Sequence, residues 1–316
     1  KSREDSPMKT DLLRHLAACM VPFRADGKID APELRSQMDF LLGTGVITGL
    51  VVNAHAGEGD SLTREERLEV TELAVAAARP GGFATVAAIS PTPDTTEAAV
   101  DMAREAKAAG ADAIILLAPR WFSWGIGPED VHRYVAAVAE GGEIPILFFV
   151  TGAYAGVRYT PEIVGRLCQV PGVIGIKDTT WTTQGFEASL EAVRRTGRDL
   201  KVLTGNDTIL FYNFVAGADG TLLVLHTLFP ELIVEMFEAV QEGDINRAKA
   251  INDRIGPAAN ALFEPPMLKA VPRMKEALVW AGRMESARMR PPLPELTREE
   301  AEALRRVLDS VTVSVG

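Results

Sequence analysis

Only two of the 316 residues are cysteines, Cys19 and Cys168, far apart and in no zinc or redox spacing. That excludes a disulfide framework and a cysteine-built metal site, and makes a reducing compartment the default. Histidine is nearly as scarce, four in all, and none stands at a spacing from a carboxylate that suggests a metal. Long hydrophobic runs are missing too, since none reaches the ~20 residues needed to cross a bilayer. The opening stretch Lys1-Ser2-Arg3-Glu4-Asp5-Ser6-Pro7 is polar where a secretory signal would be apolar. Positive charge is in deficit, 33 Lys and Arg against 43 Asp and Glu, so a phosphate backbone would be repelled. No Gly-x-Gly-x-x-Gly follows an early apolar run, which removes the main sign of a doubly wound dinucleotide fold. These absences lead us to expect a soluble cytoplasmic protein with no metal, no membrane partner and no nucleic-acid partner.

What the chain does have is one alternation, repeated. Short apolar runs rich in β-branched residues are each followed by a longer helical pattern, the signature of parallel β/α units. Strands are predicted near 19–23, 49–54, 84–89, 113–118, 145–150, 173–177, 201–205 and 220–225. Their apolar character on both faces suits a sheet wrapped by helices. Thr63-Arg64-Glu65-Glu66 reads as a capping box opening a helix. Further helices are expected over 95–109 and 128–139, the second with Pro128 in its first turn. Eight such units in roughly 240 residues fit an α/β fold of the eight-stranded (β/α)8 TIM-barrel type better than an open sheet. After the eighth strand the pattern is wholly helical, over 229–242, 244–263, 269–283 and 297–309. The expected organisation is therefore a barrel over 10–228 and a C-terminal helical region over 229–316.

In such a barrel the chemistry sits at the C-terminal ends of the strands. Those ends carry Asn53 to Glu58, Arg120-Trp121-Phe122, Phe149, Lys177-Asp178-Thr179-Thr180 and Gly205-Asn206-Asp207. Lys177, one of only nine lysines, ends the run Val173-Ile174-Gly175-Ile176 and would enter the barrel mouth. Desolvation there lowers an amine's pKa and frees it to attack a carbonyl. The alternative on position alone, an ion pair with Asp178 or another carboxylate, is equally open. Trp121, Trp124 and Trp181 fall just past strands four and six, which suggests an apolar or flat substrate tail, or else packing against the helical region.

Several segments in register resemble the dihydrodipicolinate synthase/N-acetylneuraminate lyase family of Schiff-base aldolases. They are Pro22-Phe23 with Asp26-Gly27-Lys28-Ile29-Asp30; Gly57-Glu58 with Leu62-Thr63 and Glu65-Glu66-Arg67; Ala108-Ala109-Gly110-Ala111-Asp112-Ala113; Gly175-Ile176-Lys177-Asp178; Gly205-Asn206-Asp207; and Arg290-Pro291-Pro292-Leu293. The resemblance runs from about Val21 to Leu308. It implies a barrel with C-terminal helices, a homotetramer or dimer, and Lys177 as the residue that forms an imine with pyruvate or a pyruvate-derived 2-oxo acid. It implies no cofactor, and a pyridoxal-phosphate barrel lacks its phosphate cradle here because no glycine-rich loop follows strands seven and eight.

The departures are specific. Ala54-His55-Ala56-Gly57-Glu58 stands where the family has G-T-T-G-E or G-S-T-G-E, so both small hydroxyls are gone. Phe149 stands where a tyrosine ends strand five, and a phenyl ring moves no proton. Trp121 takes the place of a second aromatic hydroxyl. These changes point away from true dihydrodipicolinate synthase or sialic acid lyase activity, towards another aldolase, hydratase-aldolase or dehydratase. The alternative is a binding protein that has lost turnover. His55 is the candidate acid/base in place of the missing hydroxyls, against the plainer reading of a histidine satisfied by backbone. Ala56, Gly57, Arg120, Trp121, Phe149, Thr179 and Leu222 are the candidate substrate contacts. Tyr154, Thr179 and Thr180 are spare hydroxyl sources, and Glu58 is expected to hold its loop by hydrogen bonds.

Overall fold

A strand side chain points to one face of its sheet and its neighbours to the other, so a closed parallel barrel has an inside set and an outside set. In the computed structural model, which describes residues 10–152 and 155–313, eight parallel strands close in sequence order, β1 pairing with both β2 and β8. They are β1 (His15–Ala18), β2 (Gly49–Val52), β3 (Ala84–Ile89), β4 (Ala113–Leu116), β5 (Ile146–Thr151), β6 (Val173–Thr179), β7 (Lys201–Thr204) and β8 (Gly220–Leu223). This is the expected (β/α)8 TIM barrel. Nearly every strand residue is buried, which explains why the runs read as continuously apolar.

Helices α1 (Ala31–Gly43), α2 (Arg64–Ala78), α3 (Thr96–Ala108), α4 (Pro128–Gly142), α5 (Pro161–Leu167), α6 (Thr183–Arg194), α7 (Leu210–Ala216) and α8 (Pro230–Gln241) alternate with the strands. The capping box holds: Thr63 accepts from the Glu66 N–H at 3.2 Å, and the Glu66 carboxylate accepts from the Thr63 N–H at 2.9 Å. Beyond the barrel lie α9 (Ile245–Phe263), α10 (Ala270–Trp280) and α11 (Arg298–Val313), with α11 packed on α9 and α10.

The first strand needs correcting. It occupies 15–18 rather than 19–23, and the Cys19–Phe23 run is buried non-strand chain in which Phe23 bridges to Ile29. His15 disguised the strand, because a polar residue interrupts an apolar reading. Its imidazole is buried on the outer face of the barrel beside Phe237 of α8, with ring centroids 5.0 Å apart. There its Nδ1 meets Thr221 Oγ1 at 3.1 Å, and Thr221 Oγ1 meets His226 Nε2 at 2.7 Å.

Burial holds both histidines neutral, pushing His15 down to about 3, with Arg14 adding to the shift, and His226 well below its ordinary value. The unfolded chain takes up these protons as pH falls through about 6.5, whereas the folded protein refuses them. The stability they confer is therefore complete above that pH and is lost on the way down. Thermal unfolding followed from pH 7 to pH 4 should show a falling midpoint, with a shallower slope in His15→Gln. Equal slopes would contradict this account.

Candidate active site

Lys177 lies near the C-terminal end of β6 and faces the barrel interior, as does Thr179 two residues on. Asp178 between them faces outward, where its Oδ1 accepts from the Thr180 N–H (3.0 Å), the Thr180 hydroxyl (2.8 Å) and Asn206 Nδ2 (3.2 Å). Strand parity and those three bonds remove Asp178 as an ion partner of Lys177. The interior position needs space, and Gly205 just after β7 supplies it. A Cβ at 205 would stand 2.4 Å from Lys177 Cε, so the lysine stem lies against bare backbone.

The amine opens into a cavity of about 400 Å³. Ala18, Met20, Ala54, Ala56, Phe149, Leu222 and Val224 form apolar parts of its wall, and His55, Thr179, Gly205 and Asp207 complete the neighbourhood of Lys177. Across the mouth, Phe263 at the end of α9, Met267 and Leu268 in the following turn, and Ala270, Val271 and Met274 of α10 make a roof. Desolvation lowers the Lys177 pKa, partly offset by the attraction of Asp207, which acts through its charge without a hydrogen bond. The Phe149 ring lies beneath the amine, 4.2 Å from Nζ to its centroid. His55 packs against Phe149, with ring centroids 5.5 Å apart and Nε2 4.0 Å from Asp60 Oδ2. Its pKa is pushed down by desolvation and by the Lys177 charge, against the pull of Asp60. With 43% of its side chain open to solvent, it sits where cavity meets water.

Of the expected site residues, the cavity gathers Lys177, His55, Ala56, Phe149, Thr179 and Leu222. It does not gather Gly57, Arg120 or Trp121. Gly57 is a packing residue whose Cβ would come within 2.9 Å of the Cys19 carbonyl oxygen. Arg120 is exposed in a short 3-10 turn, its backbone N–H bonded to Asp94 at 3.1 Å. Trp121 and Trp124, 58% and 84% exposed, pack edge to face on each other instead of lining the mouth. Trp181 alone of the three reaches the cavity, its ring 5.3 Å from that of Phe263. Thr180 is spent on Asp178, and Tyr154 lies outside the described residues.

Sequence reasoning passed over the roof, and it placed Asp207 at a strand end without giving it a role. Met267, Val271 and Met274 recur at helical spacing on one face, but nothing local says that this face covers a barrel mouth. The roof is tied down by charge. Lys275 of α10 is fully buried and pairs with Glu58 in the loop after β2, donates to the Arg288 carbonyl at 2.9 Å, and lies 4.4 Å over the Phe23 ring. Glu58, expected to hold its own loop by hydrogen bonds, spends its carboxylate on Lys275 and on the Arg290 N–H. Arg290 makes a second tie with a fork onto both Glu66 oxygens, each at 2.6 Å.

A (β/α)8 barrel with a desolvated lysine on its sixth strand, facing a largely apolar cavity, is the architecture of a lysine-imine lyase. The chain belongs to the dihydrodipicolinate synthetase family, whose model matches residues 11–311, and it is an enzyme of that lysine-imine lyase class. It is 32% identical to a 4-hydroxy-tetrahydrodipicolinate synthase of Methylococcus capsulatus over 294 residues, 93% of this chain and 96% of the relative. A protein of the same name from Archaeoglobus fulgidus is 28% identical, with 94% and 97% covered. Among solved structures, a dihydrodipicolinate synthase from Acinetobacter baumannii complexed with pyruvate matches with a TM-score of 0.83 at 25% identity, covering 95% of this chain and 99% of that one. A prophage protein of the same family from E. coli K12, also in complex with pyruvate, shares the fold with a TM-score of 0.86 at 24% identity and the same coverage.

Cutting the buried tie on one side strands a charge. Lys275→Met should cost about 3–5 kcal/mol in urea unfolding, and Lys275→Met with Glu58→Leu should recover most of it. A double variant as unstable as the single one would show that the roof is held by other means.

Proposed function

We propose that this chain is a lyase for 2-oxo acids that carry an apolar tail, and not a 4-hydroxy-tetrahydrodipicolinate synthase. The observation that carries the reading is the Lys177 amine, desolvated and without an ionic hydrogen bond, in a cavity whose roof is made of methionine, leucine, valine and phenylalanine side chains. The amine attacks the C-2 carbonyl, and the resulting iminium withdraws electrons so that a C–C bond to the tail, or a C–O bond, can form or break through the enamine. Structural neighbours described with pyruvate support a 2-oxo acid as the partner of the lysine.

The tail is argued from the roof. A hydrogen-bonding tail there would leave polar groups unpaired against Met267, Leu268, Val271 and Met274, whereas an aryl or alkyl tail gains by burial. Of the three tryptophans expected at the mouth only Trp181 lines the cavity, adding one flat apolar face to it. Phe149 opposes synthase activity, because the position that in the family carries a tyrosine hydroxyl has no oxygen. His55, at the border of cavity and solvent, exchanges protons with water for the carbon skeleton. Assembly as a tetramer or dimer of identical subunits in the cytoplasm accords with this reading. The retained cavity around Lys177 weighs against a binding protein that has lost turnover.

Borohydride reduction in the presence of pyruvate, and separately of an aryl-substituted 2-oxo acid, should leave the adduct on the peptide that contains Lys177, as read by mass spectrometry. No adduct with either acid would overturn the reading. His55→Ala should keep adduct formation while turnover of the aryl substrate drops by roughly 10²-fold. Unchanged turnover would remove His55 from the proton path.

A further inference from the structure

An imine-forming amine has two proton problems. It must lose a proton before it attacks, and the carbinolamine oxygen must gain one before it leaves as water. Phe149, the nearest aromatic ring to Nζ, can do neither. Among the described residues, three titratable groups line the cavity: Lys177 on β6, His55 after β2 and Asp207 after β7. The lining from β1, β5, β8, α9 and α10 carries none. His55 is turned to the solvent side and faces Asp60, so its proton traffic is with water.

We propose that Asp207 is the proton acceptor of Lys177, taking the proton from the amine and returning it to the departing carbinolamine hydroxyl. This rests on the lysine-imine reading above. The placement comes from the sheet. β6 and β7 run side by side with Lys177 opposite Leu203, and the Gly205 N–H donates to the Asp178 carbonyl at 2.8 Å. The lysine stem lies on Gly205, and Asp207 follows two residues later in the same cavity wall. Its carboxylate is buried and fixed through Oδ1, which accepts from the Leu225 N–H at 3.1 Å.

Desolvation pushes Asp207 up and Lys177 down, and each charge partly restrains the other's shift. The charged pair and the neutral pair are thereby drawn together in energy, and because no hydrogen bond joins Nζ to the carboxylate, the proton crosses between them through one water. The step balances. Lysine ammonium and carboxylate become amine and carboxylic acid. The amine nitrogen bonds to C-2, and the nitrogen proton passes to the former carbonyl oxygen. The acid then gives its proton to that hydroxyl, the C–O bond breaks, and water leaves behind a protonated imine and a carboxylate. Overall an ammonium and a ketone give an iminium and water, with no net proton exchanged.

Asp207→Asn keeps the acceptor for Leu225 and removes the base. With pyruvate and borohydride at pH 7 it should trap about 10²-fold more slowly than the unaltered protein. Asp207→Glu should recover most of the rate, which a role in shape alone would not allow. Trapping by Asp207→Asn at the unaltered rate would overturn the proposal. A readout without substrate separates it from the lyase reading: the Lys177 titration followed by NMR of its labelled Cε. Loss of the anion should lower that pKa in Asp207→Asn, and an unchanged titration would overturn the pairing. A lowered pKa in a protein that traps no oxo acid would sink the lyase reading and leave the proton pair standing.

Discussion

An ammonium group loses its water when it enters an apolar cavity, and the loss is repaid only by an opposite charge, by hydrogen bonds, or by giving up the proton. The active end of this barrel is arranged around that constraint. The parity of β6 turns Lys177 inward and Asp178 outward, where Thr180 and Asn206 hold the carboxylate. Gly205 clears the path of the stem, and α10 lays apolar side chains across the mouth. The outcome is an amine with one distant counter-charge, in Asp207, rather than a saturated ion pair.

Lys275 shows the other answer to the same constraint. Its side chain is fully buried, where Lys177 keeps part of its surface open, and it is given Glu58, the Arg288 carbonyl and the Phe23 ring. Desolvation lowers its pKa as well, but Glu58 pulls the other way by charge and hydrogen bond, and the pair works as a fastener between the loop after β2 and α10. The two lysines are coupled through architecture: the saturated one holds down the roof over the unsaturated one.

The family's frame and its lysine are kept, and the groups around the lysine are changed. The family's hydroxyls are gone at positions 55 and 56 after β2 and at 149 on β5, while His55 and a wall of methionine and aliphatic carbon line the cavity. Apolar contacts are non-directional and scale with area, so such a wall selects by shape and polarity rather than by hydrogen-bond pattern. Polar selectivity is then left to Lys177, His55, Thr179 and Asp207, which crowd one end.

The alternation of apolar strands and amphipathic helices is a local property, because each strand's burial on both faces and each helix's capping are written in adjacent residues. The barrel, α2 with its Thr63 cap, and Lys177 at a strand end were therefore legible in the chain. β1 was not, since His15 looks polar until Thr221, more than two hundred residues later, supplies its partner. Trp121 and Trp124 looked like mouth residues because rank after a strand does not fix the direction of a loop. The tertiary structure alone decided that α10 roofs the cavity, that Glu58 meets Lys275, and that Asp207 rather than Asp178 shares the space of Lys177. Each of these joins segments distant in sequence, and burial and charge interactions depend on proximity in space, which no local pattern encodes.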